Sequence, residues 1–279
     1  DGDLGEGDGD LGDGDGDLGD GDGDLGDGDG DLGDGDGDLG DGDGDLGDSD
    51  GDLGDGDLEG ERVMFQSTLD DWDAIVRPLA GDGQHSETGN TSFVSDTTGS
   101  GIAIMGDRAY LRVLRHAGGT ANYPLDRGAI EFLYQPGGGW DKSAPHQLFS
   151  LGKMDDDGIR CRWRGHPDHD IDCAIEAEGK LHFTEAHVDS DDWQADRPVS
   201  LRVEWDTQVE FGERNMRIYV NDAEVSGYGD AAGTGPLNII ADTGPNGNGY
   251  FYLGAWSRFE VDSADGVFHD LIIWSQPRP

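Results

Sequence analysis

The 279-residue chain carries a net charge of −44, from 62 Asp and Glu against 18 Lys and Arg. A chain this acidic is repelled by nucleic acid and by anionic membrane surfaces, and no apolar run is long enough to cross a bilayer, so neither is expected as a partner. The charge is uneven: residues 1–60 hold 26 of the acids and no Lys or Arg, which leaves 36 acids facing all 18 bases in the rest.

The first element in chain order is a repeat. Asp1–Gly56 is eight copies of a seven-residue unit, DGDLGEG first and DGDLGDG thereafter, with one variant ending at Ser49. Leu4, Leu11, Leu18, Leu25, Leu32, Leu39, Leu46 and Leu53 mark the register, and Leu58 breaks it. The tract has no aromatic and no β-branched residue, so it buries no ordinary core. A coiled coil is excluded, because each unit holds three glycines at about 1 kcal/mol each in a helix interior and one leucine per heptad leaves no a/d seam. Collagen fails as well, since the glycines do not fall at every third residue.

Three carboxylates and several glycine carbonyls per unit suit a hard cation. Ca²⁺ takes six to eight oxygens at about 2.3–2.6 Å, whereas Mg²⁺ keeps its waters and a stricter octahedron. The sequence therefore predicts a Ca²⁺ cofactor, with charge balance near about 1.5 ions per unit. The candidate ligands, unit by unit, are Asp1, Asp3 and Glu6; Asp8, Asp10 and Asp13; Asp15, Asp17 and Asp20; Asp22, Asp24 and Asp27; Asp29, Asp31 and Asp34; Asp36, Asp38 and Asp41; Asp43, Asp45 and Asp48; Asp50, Asp52 and Asp55; then Asp57. Asp13-Gly-Asp15-Gly-Asp17 resembles the opening of an EF-hand, dockerin or thrombospondin-type calcium loop, but Leu18 stands where those loops turn on glycine. The tract also resembles nonapeptide calcium rolls, with a period of seven in place of nine.

An odd period throws successive leucines to opposite faces of a flat strand. Equivalent units then require either a flattened roll of two units per coil, or several chains sharing ions in a fibre. A solvated acidic linker is the bland alternative.

Residues 58–62 form a junction, and residues 63–279 a second domain that holds every Trp, Tyr and Phe. Strand-like runs alternate there with Gly, Asp and Asn turns, as an all-β sandwich requires. Strands are predicted near Val63–Ser67, Gly101–Met105, Ala109–Val113, Gly128–Tyr134, His146–Leu151, Ile159–Trp163, Asp172–Glu176, Lys180–Thr184, Val199–Trp205, Asn215–Val220, Asn238–Ile240, Tyr250–Trp256 and Gly266–Trp274, with no amphipathic helix. Cys161 and Cys173 are the only cysteines. They read as a local disulfide of an extracellular protein or as two buried thiols, and not as a zinc site. The chain begins at Asp1 without an initiator Met, which reads as a processed or partial chain.

Four segments, in order, resemble strands of the concanavalin A-like jelly rolls, laminin-G-like and lectin-like domains above all. They are Gly128–Pro136 (GAIEFLYQP), Pro198–Asp206 (PVSLRVEWD), Met216–Asp222 (MRIYVND), and Phe251–Gly254 followed by Phe268–Trp274. The resemblance covers nearly all of residues 61–279. It implies an antiparallel β-sandwich jelly roll in which Cys161 and Cys173 join neighbouring strands around the His166–Asp170 loop.

That fold hosts lectins, adhesion modules and glycosidases alike. Glycosidase relatives carry two glutamates on one strand. The nearest match, Glu204-Trp-Asp206-Thr-Gln-Val-Glu210, is one residue too long, so the chain is not expected to be an enzyme. His166-Pro-Asp-His-Asp170 lacks a third metal ligand and reads as a solvated loop, and Asp155-Asp-Asp-Gly158 reads as a turn. Trp140, Trp163, Trp193, Trp205 and Trp256 offer sugar-stacking rings, although most belong in a sandwich core. No Ser/His/Asp order, phosphate loop or basic stripe is present. The leading expectation is an extracellular or cell-surface structural or adhesive protein, self-associating through its Ca²⁺ repeats into a stalk or filament. The alternative is a secreted glycan-binding or, less readily, glycan-cleaving module on a calcium-stiffened spacer.

Overall fold

A computed structural model describes residues 62–278, apart from 85, 97, 118–119, 139–142, 153–157, 166–169, 178–179, 189–192, 195–196, 209–214, 227–248 and 256–262. The repeat tract, most of the junction and the Asn238–Ile240 strand lie outside the described residues.

The order is β1 (Val63–Ser67), α1 (Trp72–Val76), β2 (Glu87–Gly89), β3 (Thr91–Ser95), β4 (Ser100–Ile104), β5 (Tyr110–Leu114), β6 (His116–Ala117), β7 (Thr120–Ala121) and β8 (Arg127–Pro136). Then follow β9 (His146–Gly152), β10 (Gly158–Trp163), β11 (Asp170–Ala177), β12 (Lys180–His187), β13 (Val199–Asp206), β14 (Met216–Val220), β15 (Ala223–Glu224), β16 (Tyr250–Leu253) and β17 (Gly266–Trp274). Two antiparallel sheets form a sandwich. One runs β15-β14-β13-β8-β17-β4-β3, with β1 also on β17; the other runs β12-β11-β10-β9-β16-β5-β2. The short pair β6 and β7 stands apart.

Alternation in the sequence sets the two faces. In β13, Val199, Leu201, Val203 and Trp205 point inward, and in β14 Met216, Ile218 and Val220 do the same. In β10 the inward residues are Ile159, Cys161 and Trp163. Period-2 strands with one apolar face can bury that face only against a second sheet. A line of rings crosses the interior: Trp163 to Trp193 at 5.2 Å, Trp193 to Tyr134 at 5.6 Å, Tyr134 to Phe268 at 4.9 Å, and Phe268 to Phe132 at 5.2 Å. Cys161 and Cys173 face each other in the β10/β11 register and are joined as a disulfide, both fully buried.

Several departures from the predicted elements have local causes. The one described helix, α1, is a single turn capped by Asp71, whose carboxylate accepts from Ala74 N–H at 2.8 Å, with Pro78 just beyond its end. At five residues it is too short to show an amphipathic period, in keeping with the absence of such a pattern in the sequence. No helix among the described residues is long and apolar enough to cross a membrane. The strand predicted over Tyr250–Trp256 ends at Leu253, because Gly254 turns the chain at φ +79° and a Cβ there would sit 2.4 Å from Ile104. Between β14 and β15, Asn221 and Asp222 both take positive φ (51° and 65°). That is the geometry of a tight two-residue hairpin, for which Asn and Asp are suited.

Candidate functional site

The outer face of the seven-stranded sheet carries a polar row that the strand registers align. Phe183, Ala174, Arg160, Ser150, Tyr252, Arg112 and Glu87 lie side by side across β12, β11, β10, β9, β16, β5 and β2. Because β10 alternates, the arginines at positions 160 and 162 point outward while Ile159, Cys161 and Trp163 go to the core. Arg164 continues the pattern.

Each of these arginines meets a carboxylate from β11 or β12. Arg162 donates from Nε and Nη2 to Asp172 Oδ2, at 3.2 and 2.9 Å. Arg160 Nη1 lies 3.4 Å from Glu176 Oε2, and Arg164 pairs with Glu185. Partly exposed pairs contribute roughly 0–1 kcal/mol each, so the ladder adds little to stability. Its chemistry is what it presents outward: alternating donors and acceptors. A groove of about 190 Å³ lies on this face, lined by the three arginines, Asp172 and Glu185 with Ala174, Leu181 and Phe183 as its apolar part.

The other half of the face is aromatic. Tyr110, Tyr250, Tyr252 and Ala255 form an apolar cluster separate from the core. Arg112 pairs with Glu87, which also accepts from the Tyr110 hydroxyl at 2.9 Å, and the Arg112 guanidinium lies 4.6 Å from the Tyr250 ring centroid.

Glu204, the nearest sequence match to a catalytic glutamate, is fully buried on the eight-stranded sheet. Its Oε1 faces Arg202 Nε at 3.5 Å, and its Oε2 accepts from the Tyr219 hydroxyl at 3.4 Å. Burial pushes its pKa up from the ordinary 4.5, against the lowering influence of Arg202, the Arg278 backbone N–H and Tyr219. A raised folded-state pKa means its contribution to stability is full below about pH 4.5 and is lost as pH climbs through the folded value. The Glu204→Gln variant is therefore expected to lose less stability than the parent between pH 4 and pH 7. Urea unfolding at stepped pH checks this, and parallel profiles would contradict it.

Of the tryptophans, Trp163, Trp193 and Trp205 are fully buried, in line with the expectation that most belong in the sandwich core. Trp140 and Trp256 lie outside the described residues. So do Glu210, residues 166–169 and 155–157, and every candidate calcium ligand from Asp1 to Asp57. Asp170 is described, and its carboxylate pairs with His187 Nδ1 at 3.0 Å. Among the described residues, no three His, Cys, Asp or Glu are grouped to hold a metal ion. Sequence reasoning passed over Arg160, Arg162 and Arg164, although their i, i+2, i+4 spacing against inward Ile, Cys and Trp was visible.

No protein-family model and no curated protein matches this chain. Solved structures do. The binding domain of botulinum neurotoxin DC in complex with SialylT superposes with a TM-score of 0.52 at 10% identity, over 78% of this chain and 48% of that one. The receptor binding domain of botulinum neurotoxin D gives 0.50 at 8% identity, over 78% and 50%. The native heptameric SAP-like pentraxin from Limulus polyphemus gives 0.44 at 12% identity, over 63% and 76%. The chain thus spans about half the length of the two toxin domains. Their likeness is one of fold, an antiparallel β-sandwich of two packed sheets.

Proposed function

We propose that the described domain is a glycan-binding module whose ligand lies against the outer face of the seven-stranded sheet. The observation that carries this reading is the groove of about 190 Å³ in which guanidinium–carboxylate pairs stand beside Phe183 and Leu181. A sugar hydroxyl donates and accepts at once, so it bridges such a pair, while the C–H face of the ring packs on the apolar residues. The likeness in fold to a toxin binding domain solved with SialylT is in keeping with it. Binding is favoured over cleavage by the burial of Glu204, the nearest sequence match to a catalytic glutamate. A glycan array probed with the full chain tests the reading: specific retention is expected, reduced about tenfold by Arg162→Gln. Absence of retention on every glycan would refute it.

A second reading rests on the regularity of residues 1–57. The tract binds Ca²⁺ through its carboxylates and builds a stalk or filament that gathers several copies of the domain. Single hydrogen-bonded sugar contacts are weak, at about 0.5–1.5 kcal/mol net each. Linked copies raise avidity by about 10²–10⁴ without any new contact, so the two readings support one another. A disulfide-linked, carbohydrate-binding chain belongs outside the cell or on its surface. Circular dichroism and negative-stain microscopy, with Ca²⁺ and then with EGTA, are expected to show a spectral change and chelator-sensitive assemblies. Identical spectra in both conditions would sink the calcium reading.

A further inference from the structure

We infer that the groove on β10–β12 selects uncharged sugars over acidic ones, an inference that rests on the glycan-binding reading above. The reason is that the arginines of the groove already meet carboxylates. Arg162 pairs with Asp172 and Arg164 with Glu185, both in the groove lining, while Arg160 pairs with Glu176, which is not among the lining residues.

Asp172 decides the outcome. Its side chain is only 14% exposed, and a single oxygen takes both the Nε–H and the Nη2–H of Arg162. A carboxylate or sulfate on a sugar seeks that same edge of the guanidinium, because forked donors are its best partner. To reach it, the anion must either displace Asp172, leaving a largely buried carboxylate without its cation, or lie beside it as a like charge. Both routes cost free energy. An uncharged hydroxyl pair has neither problem. It donates to the remaining carboxylate lone pairs and accepts from guanidinium N–H groups while the ion pair stays intact. The wider field acts in the same sense: beyond the repeat tract the chain still carries 36 acids against 18 bases, which disfavours approach of an anion.

The two ligand classes predict opposite responses to one substitution. Asp172→Asn keeps the shape and removes the charge. For a neutral sugar it takes away the stronger acceptor and weakens binding; for an acidic sugar it releases Arg162 and strengthens binding. The experiment is calorimetric titration of the full chain, and of the Asp172→Asn and Glu185→Gln variants, with neutral oligosaccharides and the sialylated or sulfated form of each. Thermal melts beforehand confirm that each variant is folded, and Glu185→Gln stands in should Asp172→Asn fail to fold. The expected result is binding of a neutral form at least tenfold tighter than of its acidic counterpart, weakened about tenfold by either variant. Equal or tighter binding of the acidic form by the parent, or no gain in acidic binding on Asp172→Asn, would overturn the inference while leaving glycan binding in place. Binding of neither form would remove the glycan reading itself, and this inference with it.

Discussion

Replacing Trp193 with Ala is expected to destabilise the domain by about 3–5 kcal/mol, the usual range for truncating a large buried ring. Trp193 lies between β12 and β13 in sequence, itself in no strand, yet its side chain is fully buried. It contacts Trp163 of the seven-stranded sheet and Tyr134 of the eight-stranded sheet. One residue outside the strands thus fills space between the two layers. Alanine leaves a cavity that β-strands tied into ladders on both sides cannot collapse. For a domain of this size the melting point falls on the order of 10 °C. Trp72, 41% exposed on α1, is the control, and its Ala variant is expected to stay within about 0.5 kcal/mol of the parent. Urea and thermal unfolding of both variants check the pair. A Trp193→Ala protein as stable as the Trp72→Ala one would contradict the placement of that ring in the core.

Removing the Cys161–Cys173 bond is expected to cost about 3 kcal/mol, the loop-entropy value for a short closed segment. The cysteines are separated by 12 residues and sit directly opposite each other in register. The loss reaches the candidate site as well. Cys161 stands between Arg160 and Arg162 in β10, and Cys173 stands between Asp172 and Ala174 in β11. The covalent bond on the inner face therefore holds the register that aligns Arg162 with Asp172 on the outer face. A Cys161→Ala/Cys173→Ala chain is expected to unfold at lower urea and to bind glycan more weakly at 25 °C. Unchanged unfolding midpoints would mean that the bond contributes nothing to the fold.

Which parts were legible in the sequence follows from how each element signals itself. Gly128–Tyr134, Val199–Trp205 and Gly266–Trp274 alternate apolar and polar residues against a packed interior, and each lies in a strand of the sandwich. The resemblance to concanavalin A-like jelly rolls rests on the same segments, and its coarser implication, an antiparallel sandwich of two sheets, agrees with the structure. β2 and β3 lack a clear signal because they end their sheets: β2 is Glu-Thr-Gly, and β3 sets Phe93 and Val94 side by side among Thr and Ser, with no apolar alternation and no buried residue. The tryptophans were visible as residues but not as positions, since an aromatic ring signals core and sugar platform alike. The arginine ladder shows the limit most clearly. Period 2 tells which side chains share a face, but not that β11 and β12, with Asp172 and Glu185, would lie beside β10. That order is a property of the whole sheet.

Ligand binding at the outer face of the seven-stranded sheet is the central claim. It is tested most directly by following the arginine side-chain Nε–H resonances of the isotope-labelled full chain during titration with the glycan retained best on the array. Saturable shifts are expected at Arg160, Arg162 and Arg164, with Arg202 and Arg217 of the other sheet unmoved. Saturable shifts confined to Arg202 and Arg217, with the three ladder arginines silent, would contradict it.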